Sequence, residues 1–585
     1  MTVAGDLADW TSSPNTCELV RRAARRRPDR PALLDGGTVV TYGELDRRAE
    51  SLSRRLVDQG AGPGSFIAVA LPRSADHVIA TLAVWKAGGV CVPVAADLPA
   101  AHVAEMLLTA AVSLSVGPGL VLSEIAPPAE GRRSVELPTA SDGEDGSVAY
   151  VYFTSGSTGR PKAVALTHAG IANEAQWSQK AFSLSEHDRS TWLASPGFAI
   201  SRWELWTPLT VGASVVISEE NVVRDAAELR DWLVSVGATW SIIVTGLAER
   251  LFGVDWPASC PLRLLVAGGD QLRLWPEALP FDVVNSYGVT EASSVRLAAR
   301  LDPAERSGRL PSVGQPISNT YAYLLNDELT PVPDGEVGEL FIGGYGLARG
   351  YLGDPEQTRE RFLPDPFRGG GRRMYRTGDL VRRGESGDIE FTGRRNNDPK
   401  VGGVRVDPAA VESALLTCPG VTDAAAVVRA QGPDRARLVG YLVSEDRAQL
   451  EPDSIIDGLA RLLPRQMVPT ELVWLPSMPL LPSGKVARGQ LPPPSAQNVL
   501  RGRRASAGNE AEAHVIAVFQ EVLGRADVSA NDDFFGLGGD SLGVARVRQA
   551  LLDRHGIDVA FTDIFRRRTP HRISVAVQSA GKETT

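Results

Sequence analysis

Between Thr41 and about Gly393, short apolar β-branched runs alternate with amphipathic stretches of helical period. The runs are "FIAVAL", "GVCVPV", "AVALTH", "SVVIS" and "LRLLVAGG", and a typical intervening stretch is "YGELDRRAESLSRRLVDQG". This alternation predicts an α/β fold. The period breaks around 394–402, where "RRNNDPKVG" brings in Asn, Pro and Gly, and a shorter α+β stretch runs on to about Gln490. Residues 491–510, "LPPPSAQNVLRGRRASAGNE", have the Pro, Ser, Ala and Arg content of a linker, and 511–580 read as a small helical domain with amphipathic segments "EAHVIAVFQEVLG" and "LGVARVRQALLDRHG". The expected division is therefore 15–395, 396–490, 491–510 and 511–580, without internal repeats.

Composition narrows the function class. The chain has 585 residues, 43% hydrophobic and 22% charged, so it is multidomain with ample side chain to bury. The net charge of −9 includes no long run of one sign beyond "ELVRRAARRRPD", which reads as a solvated helix face ending before Pro28. Neither nucleic acid nor a membrane is expected as a partner. No apolar run reaches the ~18–20 residues of a membrane span and no leader pattern opens the chain, so a cytoplasmic protein is expected. Cys17, Cys91, Cys260 and Cys418 form no CxxC pair and read as core thiols. Of 61 basic residues only six are lysine, and three of these, Lys162, Lys400 and Lys485, stand in the motifs that follow.

"TSGSTGRPK", Thr154 to Lys162, places Thr154, Ser155, Gly156, Ser157, Thr158, Gly159 and Lys162 in one loop after the strand-like "AYVYF". Backbone N–H groups, hydroxyls and an ammonium in such a loop suit phosphate oxygens, although the GxxxxGK[ST] spacing is absent. Alone, the loop also reads as a flexible Ser/Gly turn. Six further motifs accompany it: "TYGEL" (41–45), "WKAGGVCVPV" (85–94), "NSYGVTE" (285–291), "GELFIGGYGLARGYL" (338–352), "YRTGDL" (375–380) and "LPSGKVAR" (481–488). In this order the seven closely resemble the adenylation domains of nonribosomal peptide synthetases, within the adenylate-forming superfamily, over residues 15 to 490.

The resemblance implies a large N-terminal adenylation core (15–395), a smaller mobile α+β C-terminal subdomain (396–490), and ATP-dependent activation of a carboxylic acid with Mg2+. By the same resemblance the Thr154–Lys162 loop holds the β- and γ-phosphates, Tyr287 stacks near the adenine, Thr290 lines the nucleotide site, and Glu291 binds Mg2+. Asp379 accepts the ribose hydroxyls, Arg394 approaches ribose or phosphate, and Lys485 bridges the acid's carboxylate and the α-phosphate. Lys400 matches a motif that serves the thioester step. Two departures stand out: Val289 replaces a usual proline, and Asn396 stands at the hinge where an aspartate is common.

"DDFFGLGGDSLGVARV" sets Ser541 after a Gly-Gly turn at the start of an amphipathic stretch. Ser541 alone is a good N-cap, but the string resembles a peptidyl carrier domain, an all-α four-helix unit at 511–580, with Ser541 carrying 4′-phosphopantetheine. The implied partners are a phosphopantetheinyl transferase, a downstream condensation-containing synthetase and a small activator protein. Condensation and release motifs are missing, so a starter-loading unit, or one that supplies an acyl group in trans, is expected.

One segment narrows the acid. In "FAISRWE", Phe198, Ser201, Trp203 and Glu204 keep the family's register, while Ala199 replaces the aspartate that receives an α-ammonium. A buried ammonium without an anion costs several kcal/mol, on the order of other unpaired buried charges. The pocket wall, by the same alignment, is Ala199, Ile200, Trp203, Ile242, Val266, Gly268, Ser286, Ser294 and Val295, apolar with two hydroxyls. An anthranilate-type aryl acid, its ring against Trp203 and a weakly basic amine or a hydroxyl reaching a serine, is the first expectation. An α-keto, α-hydroxy, β-amino or unusual amino acid is the alternative within the class. A coenzyme A ligase and a non-catalytic nucleotide-binding carrier protein are the alternatives outside it.

Overall fold

The computed structural model describes residues 2–8, 15–95, 98, 100–125, 147–154, 161–219, 226–272, 274–305, 310–395, 400–401, 404–406, 408–430, 436–444, 446–447, 450–464, 467–479, 486–495, 498–500, 507–525, 528–535, 537, 539 and 541–580. The chain divides into two compact units, 1–156 with 161–398, and 157–160 with 399–585.

In the first unit, a nine-stranded sheet runs in the order 315–316, 297–301, 282–287, 264–268, 240–244, 189–192, 214–217, 31–35 and 38–41. Its interior pairs are parallel and its edge pairs antiparallel. The central strands, such as Leu264–Gly268, are buried throughout, which is why they read as continuous apolar runs rather than alternating ones. A six-stranded sheet of order 121–124, 114–117, 66–69, 90–93, 148–154, 162–167 is built the same way. A third, antiparallel sheet holds 2–4, 320–325, 337–344, 373–383 and 362–364, with 389–394 paired on 373–383.

Helices begin where the sequence offers caps. Thr41 accepts from the Glu44 amide ahead of Tyr42–Asp58, Asn15 caps Thr16–Arg26, and Thr167 caps His168–Ala181. In Thr16–Arg26 the buried side is Val20, Ala23 and Ala24 while Arg21, Arg25 and Arg26 face water, as expected for that basic stretch. Helix Ala199–Val211 is different: nearly all of it is buried, including Trp203 and Trp206, and Gly212 in the left-handed region ends it.

The second unit contains a three-stranded sheet, 423–430, 436–443 and 471–475, and the short pair 400–401 with 404–405. The sheet is apolar on both faces. Leu438, Leu442 and Leu472 face helices Pro408–Leu416 and Pro452–Leu462, while Ala425, Val439, Tyr441 and Val473 form a second cluster with Leu491 and Val499. That second face changes the reading of the linker. Tyr441 Oη donates to Pro492 O at 2.8 Å, Trp474 N to Asn498 O at 2.9 Å and Leu500 N to Leu472 O at 2.8 Å, so residues 491–495 and 498–500 lie along the sheet and cover it.

Four helices follow, Glu510–Leu523, Ser541–His555, Phe561–Arg567 and Pro570–Ala580, around Val515, Phe519, Phe534, Val547, Leu551, Ile564 and Ile573. The expected α/β core, α+β subdomain and four-helix carrier are all present. The cysteines need correction: Cys91 and Cys418 are buried, but Cys17 and Cys260 are partly exposed. Among the described residues, no helix is long and apolar enough to cross a membrane.

Candidate nucleotide and acid site

Parallel strands end where ligands of open α/β sheets gather, at their carboxyl ends. Ile242, Val266 and Val284 share one row of the large sheet, and Gly268 and Ser286 share the row two positions further toward those ends, on the same face. Tyr287 is the last residue of its strand, and "GVTE" leaves the sheet there. Gly288 is required at this exit, because a Cβ would lie 1.8 Å from the Ser294 carbonyl oxygen. The following turn sets Thr290 O to accept from Ser293 N at 3.1 Å.

Three expected nucleotide residues meet. Asp379 lies opposite Arg394 on paired strands, and Arg394 Nε stands 2.6 Å from Asp379 Oδ1. Tyr287 Oη donates to Asp379 Oδ2. Burial, and then the Asp379 charge, push the Tyr287 phenol far above its ordinary range, so it stays a neutral donor. Tyr287 is thus tied to the ribose-side carboxylate, and Arg394 forms an ion pair with that same carboxylate.

A second group joins Lys162 to Glu291. Thr154 and Lys162, the two ends of the phosphate-loop motif, face each other across an antiparallel pair. Lys162, buried, lies 5.5 Å from the centre of the Tyr351 ring, and Tyr351 Oη donates to Glu291 Oε1 at 2.9 Å. Glu291 is 3% exposed, and no ion pair reaches it among the described residues. A buried carboxylate with a neutral hydroxyl partner fits a divalent cation. The buried Thr154 Oγ1 has no hydrogen-bond partner in the described structure, which suits a phosphate oxygen. Tyr351 was not singled out from the sequence, although it stands in "GLARGYL".

On the acid side, Ala199 opens its helix and Ile200, partly exposed, follows it. Trp203, Ile242, Val266 and Val295 belong to one buried cluster. Trp203 packs edge-on to Trp240, with centroids 6.4 Å apart, and its Nε1 donates to Ser178 Oγ at 2.9 Å. Both wall hydroxyls donate to the backbone: Ser286 Oγ to Ala267 O at 2.9 Å and Ser294 Oγ to Ala199 O at 2.8 Å. Each therefore offers an acid only acceptor lone pairs. A Cβ on Gly268 would lie 2.4 Å from Ser286 Oγ, so this wall keeps its shape only with glycine.

The register residues have structural work. Ser201 Oγ accepts from Trp192 Nε1 at 2.9 Å, and Glu204 accepts the Leu193 and Ala194 amides, each at 3.0 Å, where the strand 189–192 ends. Burial pushes the Glu204 carboxyl up to about 8, against those two amides. Glu174 of helix His168–Ala181 carried no signal in the sequence, yet its Oε1 accepts the Ser294 and Val295 amides at 3.2 and 2.6 Å.

Ser155, Gly156, Ser157, Thr158, Gly159, Asn396 and Lys485 lie outside the described residues. Lys400 opens the strand Lys400–Val401. Ser541 opens helix Ser541–His555, a position where a phosphodiester's negative charge is favoured. Just before it, a Cβ on Gly539 would lie 2.1 Å from the Phe534 ring, which accounts for glycine there.

Residues 20–352 match the family described as AMP-binding enzyme, 410–485 the AMP-binding enzyme C-terminal domain, and 513–576 the phosphopantetheine attachment site. The chain is 37% identical over 581 residues to one of the linear gramicidin synthase proteins of Brevibacillus parabrevis, covering 96% of this chain and 11% of that one. It is 34% identical over 598 residues to the dimodular nonribosomal peptide synthase of Bacillus subtilis strain 168, covering 96% and 24%. The chain thus spans about a tenth of the length of the gramicidin synthase proteins it matches. Among solved structures, it is similar to holo-PA1221, a protein of this kind containing adenylation and carrier domains bound to a vinylsulfonamide inhibitor, with TM-score 0.77, 27% identity and 97% of each chain covered. It is also similar to NpsA-ThdA, an artificially fused adenylation-carrier didomain from Klebsiella oxytoca, with TM-score 0.68, 27% identity and coverage of 78% and 93%. The chain belongs to the AMP-binding enzyme family, in the adenylation-plus-carrier arrangement of an AMP-forming acid:carrier ligase.

Proposed function

We propose that this chain activates a carboxylic acid lacking an α-ammonium, of the anthranilate type, and loads it on its own carrier domain as a starter unit for nonribosomal peptide synthesis. Ala199 carries this reading. It heads the helix on one side of the acid pocket, and none of the nine wall residues bears a carboxylate to receive an ammonium. The serines add to it. Ser286 and Ser294 already donate to carbonyls, so they accept, which matches a neutral aryl amine or phenol that donates.

In the reaction, the acid's carboxylate oxygen attacks the α-phosphorus of ATP, and pyrophosphate leaves. Such chemistry depends on positioning and charge neutralisation. Asp379 holds the ribose hydroxyls, with Arg394 and Tyr287 fixing its carboxylate. Thr290 lines the nucleotide site. Thr154, Lys162 and the loop between them hold the departing phosphates, and Lys485 neutralises charge where the carboxylate meets the α-phosphate. Glu291, oriented by Tyr351, would hold Mg2+, which supplies further neutralisation on the phosphate oxygens. Lys400 serves the second half-reaction, with domain rotation about Asn396. Phosphopantetheine on Ser541 supplies the thiol that receives the acyl group. We place the adenylation core at 15–395, its subdomain at 396–490 and the carrier at 511–580. The partners are a phosphopantetheinyl transferase, a downstream condensation-containing synthetase and a small activator protein, in the cytoplasm.

The test is ATP–pyrophosphate exchange over a panel of aryl, α-keto, α-hydroxy, β-amino and proteinogenic acids, with the intact mass of the phosphopantetheinylated chain read after loading. Exchange with anthranilate-type acids and a matching mass increase support the reading. Exchange with common L-amino acids and none with aryl acids overturns it, and a non-catalytic carrier would exchange with no acid at all.

A further inference from the structure

Behind the acid pocket lie three ionisable side chains that the reaction does not use. Glu174 is 1% exposed, and Arg202 and Arg296 are fully buried. Arg202 Nη1 donates to Glu174 Oε2 at 2.5 Å, while Glu174 Oε1 takes the amides of Ser294 and Val295. Arg202 belongs to the helix that carries Ala199 and Trp203, and Arg296 follows Val295 directly. One carboxylate therefore ties both walls of the pocket together, reinforced by the Ser294–Ala199 bond.

The charges do not cancel. Two guanidiniums stand beside one carboxylate, and among the described residues Arg296 Nη1 is met by uncharged groups, Tyr345 O at 2.6 Å and Thr320 Oγ1 at 3.3 Å. Arg202 Nε and Nη2 and Arg296 Nε and Nη2 are buried without an acceptor among the described residues. Burial pushes Arg296 down to about 10, with Glu174 opposing the fall and Arg202 adding to it. Glu204, on the same helix as Arg202, gives its two oxygens to the Leu193 and Ala194 amides and makes no bond to either arginine among the described residues.

We propose that Arg202, Glu174 and Arg296 form a buried cluster of net charge +1 that sets the charge selection of the acid pocket, excluding cationic acids and admitting those whose amine or hydroxyl is neutral. The cluster rests on the pocket assignment made above and deepens it. Loss of the aspartate removes an attraction for an ammonium, whereas this cluster adds a repulsion. The low dielectric of the interior makes a charge of this kind felt across several ångströms. The three residues touch the walls and not the acid, so they are positioning and specificity residues.

The experiment measures kcat/KM in pyrophosphate exchange for two pairs of near-isosteres, 2-ethylbenzoate against 2-(aminomethyl)benzoate and butanoate against β-alanine. It uses the full chain and its variants Arg296→Met, Arg202→Met and Glu174→Gln. Replacing either arginine brings the cluster to zero and is expected to lower the preference for the neutral acid by about tenfold, the size of one moderately screened charge. Glu174→Gln keeps an acceptor for the two amides but raises the cluster to +2, and is expected to increase the preference. Arg202→Met serves if Arg296→Met does not fold. A merely structural role would reduce both acids of a pair equally, so unchanged ratios in all folded variants overturn the proposal. If the wild-type chain ignores the aryl pair, the aryl reading fails while the second pair still tests the cluster.

Discussion

The two halves of the site in the first unit handle charge in opposite ways. On the nucleotide side, Asp379 faces Arg394 and Glu291 stands buried beside a neutral tyrosine, so each anion is either matched or held open for a cation. On the acid side the wall is apolar, its hydroxyls are turned to carbonyls, and the buried ionic group described behind it sets two arginines, Arg202 and Arg296, beside one carboxylate, Glu174. The nucleotide is the same for any acid, and its half is built for tight complementarity. The acid half presents no carboxylate among its nine wall residues.

The first way to break this contrast is Asp379→Asn, which weakens the ribose contact and strands Arg394. Losing two charge-assisted hydrogen bonds, ~3 kcal/mol, lowers kcat/KM in pyrophosphate exchange by about a hundredfold, equally for every acid accepted. A loss that differs among acids would mean that the halves are not separable. Next comes Ala199→Asp, which puts a carboxylate into the apolar wall. Aryl acid use falls by about thirtyfold, on the order of the cost of a poorly compensated buried polar group, with KM for ATP unmoved. Unchanged aryl kinetics would show that position 199 does not line the pocket. Tyr351→Phe has a smaller effect: Glu291 loses one hydroxyl donor, and the Mg2+ concentration for half-maximal exchange shifts by about tenfold or less. No Mg2+ shift, with a general fall in rate, would leave Tyr351 as packing only.

The mildest prediction concerns Glu204, whose carboxyl is pushed by burial from an ordinary 4.5 up to about 8. The folded protein holds a proton that the unfolded chain releases, so this contribution to stability is full below about pH 4.5 and is lost as pH rises toward 8. Glu204→Gln removes that slope. Thermal midpoints from pH 5 to pH 8 should fall less steeply in the variant than in the parent, and parallel curves would refute the shift.

Motif order and apolar periodicity made the three-part architecture and the nucleotide half readable in advance, because they depend on short local strings. Some motif residues proved to be braces: Arg376 of "YRTGDL" makes paired bonds to Glu339 of "GELFIGG". The acid half was read only as a row of aligned positions. Glu174, Arg202 and Arg296 are separated by 28 and 94 positions and stand among ordinary helix and strand residues, so nothing in their local sequence announces that folding buries them together. The direction of the Ser286 and Ser294 hydroxyls was equally hidden, since it depends on which carbonyl the fold presents. The prolines of 491–510 suggested a partly extended linker, but the second apolar face of the 423–443 hairpin and its neighbour needed cover and took it from 491–495 and 498–500.

This last feature bears on reach. With 491–495 and 498–500 fastened along the sheet, the nine residues 501–509 separate Leu500 from the helix starting at Glu510, and at ~3.3–3.6 Å per residue they can extend at most about 30 Å. A twenty-residue tether would allow about twice that radius and a correspondingly larger search volume. The shorter leash keeps the carrier serine at a higher effective concentration around the subdomain it is tied to, and travel beyond that radius must come from movement of the subdomain itself.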